Sequence, residues 1–144
     1  MDWERRMVEI GEILWLRMRF NNDPGTISKT KHPYVVIRKS ELGFIEVGQL
    51  DSLQGKEYKV AFKSNHLVRC KGQSAITNDG YIQINNCFMI DDNDELSKYS
   101  RGKLTDVLTK DIVSHYNEYQ SNNEISENKT VYLPKEEVEA LNDT

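Results

Sequence analysis

At 144 residues, with 38% hydrophobic and 29% charged side chains, the chain suits one domain with a modest core and is too apolar to be disordered. Its formal net charge of −4 runs against a generally basic nucleic-acid binder. No apolar run approaches the roughly 20 residues that span a bilayer, which argues against a helical membrane protein.

The start, Met1-Asp2-Trp3-Glu4, carries acid where a signal peptide would carry base, so the reading is a cytoplasmic protein without a membrane partner. Cys70 and Cys87 lack the spacing of a metal knuckle or a disulfide framework and read as reduced packing residues. The charge is uneven. Residues 1–71 hold 13 basic and 9 acidic groups, a net of +4, whereas residues 72–144 carry a net of −8. The front half can meet phosphates and the back half a basic partner. Functionless surface charge accounts for the same asymmetry.

Along the chain, Trp3, Met7 and Ile10 stand at helical spacing and predict a short amphipathic helix ended by Gly11. Residues 12–20 are apolar on both sides and read as a central strand. Asn21 to Lys31 is a polar loop with a Pro-Gly turn. Pro33 to Arg38 is the clearest strand, and Phe44 to Leu50 follows as its neighbour. Charged and apolar residues alternate from Glu57 to Lys63, predicting a half-solvated strand, with further strands at 67–70, 74–76 and 81–90.

Leu104, Leu108, Ile112 and Tyr116 repeat every four residues and predict a long helix to Tyr119. The organisation that follows is a single domain over residues 1–120, including the helix at 104–119. A polar linker and a short helix begun by Pro134 occupy 121–144. Several short strands in succession favour a barrel or sandwich over parallel units. The fold class is therefore mainly β with α additions.

Gly11-Glu12-Ile13-Leu14-Trp15-Leu16, a polar loop, then Lys29-Thr30-Lys31-His32-Pro33-Tyr34-Val35-Val36-Ile37 resembles the opening of the MazF/PemK (Kid-like) toxins of type II toxin–antitoxin systems. Gly48-Gln49-Leu50-Asp51-Ser52 is similar to that family's Pro-Leu-Thr-Ser segment. Tyr81 to Asp91 and Gly102-Lys103-Leu104-Thr105 match its later strand and closing helix, so the resemblance spans roughly residues 10–119 of a divergent member. It implies an SH3-like small β-barrel with a C-terminal long helix. It also implies a homodimer that cuts single-stranded RNA without a metal or other cofactor and is held by a cognate antitoxin.

Cleavage through the neighbouring 2′-hydroxyl needs a proton acceptor, a proton donor for the leaving oxygen, and a cation or donors on the crowded phosphate. Where the family has an arginine before the strand proline, this chain has His32, which can act as acid or base. Asp51 and Ser52 hold the place of the family's hydroxyl, so Ser52 acts as donor or Asp51 as base beside His32. Gln83 and Asn85 match an Arg-x-Asp pair and can hold RNA but move no proton. Lys29, Lys31 and Arg17 complete the expected RNA contacts, with Arg19 beside them. Trp15, Tyr34 and Tyr81 can stack on bases or serve as core.

Each of these residues has a plainer role as well: His32 as an ordinary surface histidine, the lysines as a solvated loop. With the catalytic positions drifted, the same barrel is a module binding RNA, DNA or a partner protein. A third reading is an accessory protein whose acidic second half holds a basic partner. His66 and Cys70 are four apart, but without a second ligand pair they do not make a zinc site. Residues 91–95, Asp-Asp-Asn-Asp-Glu, read as a solvated acidic turn and not as a calcium loop.

Overall fold

The computed structural model describes residues 5–19, 30–85, 87–122 and 131–143. Strands β1 (Glu12–Leu16), β2 (His32–Lys39) and β3 (Phe44–Ser52) form an antiparallel centre. Their β-branched and aromatic residues pack well on a pleated surface. Strands β4 (Asn65–Val68) and β5 (Gly80–Gln83) extend it from the end of β3, and β7 (Ser100–Lys103) pairs with β1. Strand β6 (Phe88–Asp91) pairs with the start of β3, and β8 (Val131–Leu133) lies parallel to β6. The result is a barrel-like sheet that does not close, with helices α1 (Asp106–Asn122) and α2 (Lys135–Asn142) packed on it. Neither is long and apolar enough to cross a membrane.

Both faces of the central strands are buried, which explains why β1 and β2 are apolar on both sides. Leu14, Leu16, Tyr34, Val36, Ile45 and Val47 face one cluster, completed by Phe88, Ile90, Leu133 and Val138. Ile13, Val35, Ile37 and Leu50 face the other, under Ile112 and Tyr116 of α1. Residues 131–138 thus belong to the same core as the first strands.

The predicted N-terminal helix does not form over residues 5–9; residues 1–4 lie outside the described residues. Glu12, 2% exposed, captures the segment instead. Its carboxylate accepts from Arg6 at 2.9 Å, Ser100 Oγ at 2.7 Å and the Glu9 N–H at 2.8 Å. Burial works to raise the Glu12 pKa, but these bonds outweigh it and hold it below the usual carboxylate range. Gly11, at φ 96°, turns the chain into β1.

The strand expected at 57–63 is a 3-10 helix, Glu57–Ala61. Successive backbone bonds, Lys56 to Leu53, Lys59 to Lys56 and Phe62 to Lys59, close tight turns with no ladder partner beside them. Residues 74–76 form no strand, with bends at 74–75, and residues 81–90 divide into β5 and β6 around a turn. The acidic turn is not simply solvated. Asp91 accepts the Lys135 N–H at 2.8 Å and the Tyr132 hydroxyl, Asp92 pairs with Lys39 at 3.5 Å, and Asn93 caps a second 3-10 helix, Asp94–Tyr99. An acid at the start of α2 also meets the positive end of the helix dipole.

Candidate functional site

Tyr34 of β2 stands opposite Gln49 of β3. Because the strands are antiparallel, the residues before Tyr34 and those after Gln49 emerge side by side at one end of the sheet. There Lys31, His32, Asp51 and Ser52 line one open cavity of about 550 Å³. Ile13, Trp15 and Leu50 form its apolar floor, and the loop before β5 forms the far wall with Thr77, Asn78 and Asp79. Four residues singled out from the sequence therefore converge.

The arrangement is held from behind. The Tyr34 hydroxyl donates to Gln49 Oε1 at 3.4 Å, and Gln49 Nε2 donates to Asp51 Oδ1 at 2.7 Å, fixing the carboxylate's orientation. Tyr34 is buried, and its pKa is raised first by that burial and then by the Asp51 charge, so it stays a neutral donor. Strand β5 approaches β3 closely at Ser52 opposite Gly80. A Cβ on Gly80 would lie 2.5 Å from the Asp51 carbonyl oxygen, so glycine is what allows the approach.

His32 is half-buried, with Thr30 Oγ1 at 3.4 Å from its Nε2. Ser52 is exposed, and its Oγ accepts from the Gln54 N–H at 3.3 Å, a bond that does not use the hydroxyl proton. The far wall is anchored at two points. Gln73 accepts the Thr105 N–H and donates to Thr105 Oγ1, both at 2.9 Å, at the start of α1. Asp79 accepts the Cys70 N–H at 2.9 Å and pairs with Arg69 at 3.3 Å. These bonds, the Cys70 N–H first, lower the Asp79 pKa, and the adjacent carboxylate raises that of the Cys70 thiol.

Other sequence candidates lie elsewhere. The Arg17 main chain is bonded in both directions to the Asn142 side chain, at 2.6 and 3.2 Å, and Arg17 is not among the cavity's lining residues. Arg19 is held by Glu137 at 2.7 Å, tying the segment after β1 to α2. Asn85 opens onto a second cavity of about 470 Å³ with Arg38, Glu46 and Tyr116. Gln83 sits on β5 opposite Asn65. Lys29 lies outside the described residues. Of the aromatics, Tyr34 and Tyr81 are buried core, whereas Trp15 is 38% exposed at the cavity. His66 meets His115 and not Cys70, and among the described residues no group of three ligating side chains could hold a metal ion.

The sequence reading missed Asp79, Thr77 and Asn78, because a polar loop gives no periodic signal for what its contacts will face. Chemically, the cavity offers an imidazole, a fixed carboxylate, a hydroxyl donor and an ammonium beside an exposed indole. That set can hold a phosphodiester, move a proton and seat a base.

No protein-family model and no curated protein sequence matches the chain. Among solved structures it is similar to an endoribonuclease of a mycobacterial species in complex with its cognate antitoxin. The TM-score is 0.49 at 11% identity, over 78% of this chain and 91% of that one.

Proposed function

We propose that the chain is an endoribonuclease of the toxin type that cuts single-stranded RNA through the 2′-hydroxyl, with His32, Asp51 and Ser52 as its chemical groups. The observation that carries this reading is the convergence of Lys31, His32, Asp51 and Ser52 on one cavity. The resemblance of the same segments to the MazF/PemK pattern supports it. In this scheme one of His32 and Asp51 takes the 2′-hydroxyl proton as that oxygen bonds to phosphorus. The bond to the 5′-oxygen breaks and that oxygen is protonated, leaving a 2′,3′-cyclic phosphate and a 5′-hydroxyl. Lys31 and the Ser52 hydroxyl steady the phosphate's growing charge, and Trp15 seats a neighbouring base. Protein side chains suffice for every proton.

Under this reading the protein works in the cytoplasm as a homodimer neutralised by a cognate antitoxin, and Gln83 and Asn85 serve RNA held beyond the cavity. The test is incubation with a mixed-sequence RNA in single-stranded and duplex form. Cleavage of the single strand alone, with cyclic-phosphate ends and loss of rate in Asp51→Asn and Ser52→Ala, supports the assignment. Duplex cleavage or 5′-phosphate ends contradict it.

A second reading, a module that binds without cutting, is favoured by the bonds Asp51 and Ser52 already make to Gln49 and the Gln54 N–H. Tight binding of intact RNA by folded protein selects it.

A further inference from the structure

The 3-10 helix Glu57–Ala61 and the residue after it present two large aromatic side chains to solvent: Tyr58 is 64% exposed and Phe62 49%. Their rings meet edge to face, with centroids 6.4 Å apart and planes at 86°. The Lys59 ammonium sits over both, 5.4 Å from one centroid and 5.6 Å from the other. A cation shared by two rings fixes their orientation without covering them. Lys56 and Lys63 flank the pair, and none of the three lysines is in an ion pair among the described residues. The one acid in this stretch is Glu57.

Keeping two rings in water forgoes the stabilisation that burial would give, and nothing in the core needs them there. An apolar protein partner would favour a patch without interleaved charge. Exposed rings set among unpaired lysines match a polyanion carrying flat bases. The patch also has a direction. The groove on one side of Phe62 and Lys63 is walled by Glu118 of α1, which repels phosphate. At its start the 3-10 helix is joined to Asp51 and Ser52 of the cavity by the short turn Leu53 to Lys56, in which the Lys56 N–H donates to the Leu53 carbonyl at 2.8 Å.

We propose that Tyr58 and Phe62, with Lys56, Lys59 and Lys63, form a stacking platform for single-stranded RNA that continues along the turn at Leu53 to Lys56 into the cavity that holds His32, Asp51 and Ser52. The link to the cavity rests on the proposed function; the binding itself does not. Bases stack on the two rings, the lysines follow the backbone, and the preference is for unpaired RNA of any sequence.

The experiment is fluorescence anisotropy with a 2′-O-methyl single-stranded RNA about a dozen nucleotides long, which lacks the nucleophile and stays intact. Wild type is compared with Tyr58→Leu/Phe62→Leu, which keeps apolar surface but removes the rings, and with Tyr58→Phe/Phe62→Tyr, which keeps them. Circular dichroism checks that each is folded. The leucine pair is expected to bind at least about tenfold more weakly, and the aromatic swap within about twofold of wild type. Lys59→Gln should weaken binding and lower the salt slope by about one ion.

Unchanged affinity in the leucine pair overturns the proposal, as does a folded wild type that does not bind. A leucine pair that alters only self-association, measured by sedimentation, makes the patch a protein contact and overturns it too. Binding lost in the leucine pair while unmodified RNA stays uncut keeps the platform and removes the nuclease. Discrete cutting with leucine-pair binding unchanged does the reverse.

Discussion

His66 Nδ1 of β4 lies 2.9 Å from His115 Nδ1 of α1, while His115 Nε2 is 2.8 Å from the Lys63 carbonyl oxygen. The carbonyl can only accept, so His115 carries its proton on Nε2 and its Nδ1 accepts the proton that His66 donates. The pair thus ties helix to sheet in one tautomeric arrangement. Two charged rings cannot keep it, because both Nδ1 atoms would then be donors.

Burial, then the neighbouring His115, lowers the His66 pKa, and the opposing pull of Asp111 does not restore it. Below the unfolded value of about 6.5 the unfolded chain therefore binds more protons than the folded one. Stability is present in full above that pH and falls as pH drops through the lower folded value. Urea unfolding from pH 8 to 5 should show this loss, and His66→Gln should flatten it. Replacing one partner should also cost about 1 kcal/mol at pH 8.

Tyr116 donates to buried Glu46, which also accepts from Arg38 at 3.2 Å. Burial and then this carboxylate raise the Tyr116 pKa, so the phenol stays a donor at neutral pH. Tyr116→Phe leaves an acceptor short of its partner and should destabilise by about 1–3 kcal/mol in urea.

Gly80→Ala places a Cβ against the Asp51 carbonyl, where backbone and not a flexible side chain must give way. We expect a cost of about 1–3 kcal/mol and a larger loss of cleavage than of stability, since Asp51 moves with the strand. Equal loss in both would separate Asp51 from the chemistry.

Leu133 of β8 is fully buried in the cluster shared with Leu14, Leu16 and Val36. Leu133→Ala should cost about 2–5 kcal/mol, and removal of residues 131–144 should prevent folding, seen as loss of a cooperative transition. A fully stable truncated chain would show that β8 and α2 are additions to a complete core.

Strands β2 and β3 were legible because dense β-branched runs bounded by turn residues have few alternative readings, and α1 because its four-residue apolar repeat is long. Strands β7 and β8 were not: Ser100-Arg101-Gly102-Lys103 has no apolar pattern, and three residues at 131–133 become a strand only because β6 offers an edge. The alternation at 57–63 misled because no neighbouring strand completes a ladder there. In the candidate site, His32, Asp51 and Ser52 were singled out through the resemblance of their segments to the MazF/PemK pattern, and their places at the ends of β2 and β3 put them on one cavity. Asp79 was not, since it is held by the Cys70 N–H and Arg69 within a polar loop that carries no periodic signal.

The most direct test is incubation of the folded protein, in EDTA, with a long single-stranded RNA beside His32→Ala, with fragment ends mapped. Discrete cuts by wild type are expected, with a loss of roughly 10²–10⁴-fold in the variant, the contribution of a general acid or base. Intact RNA with wild type, or equal cutting by His32→Ala, would contradict the ribonuclease reading.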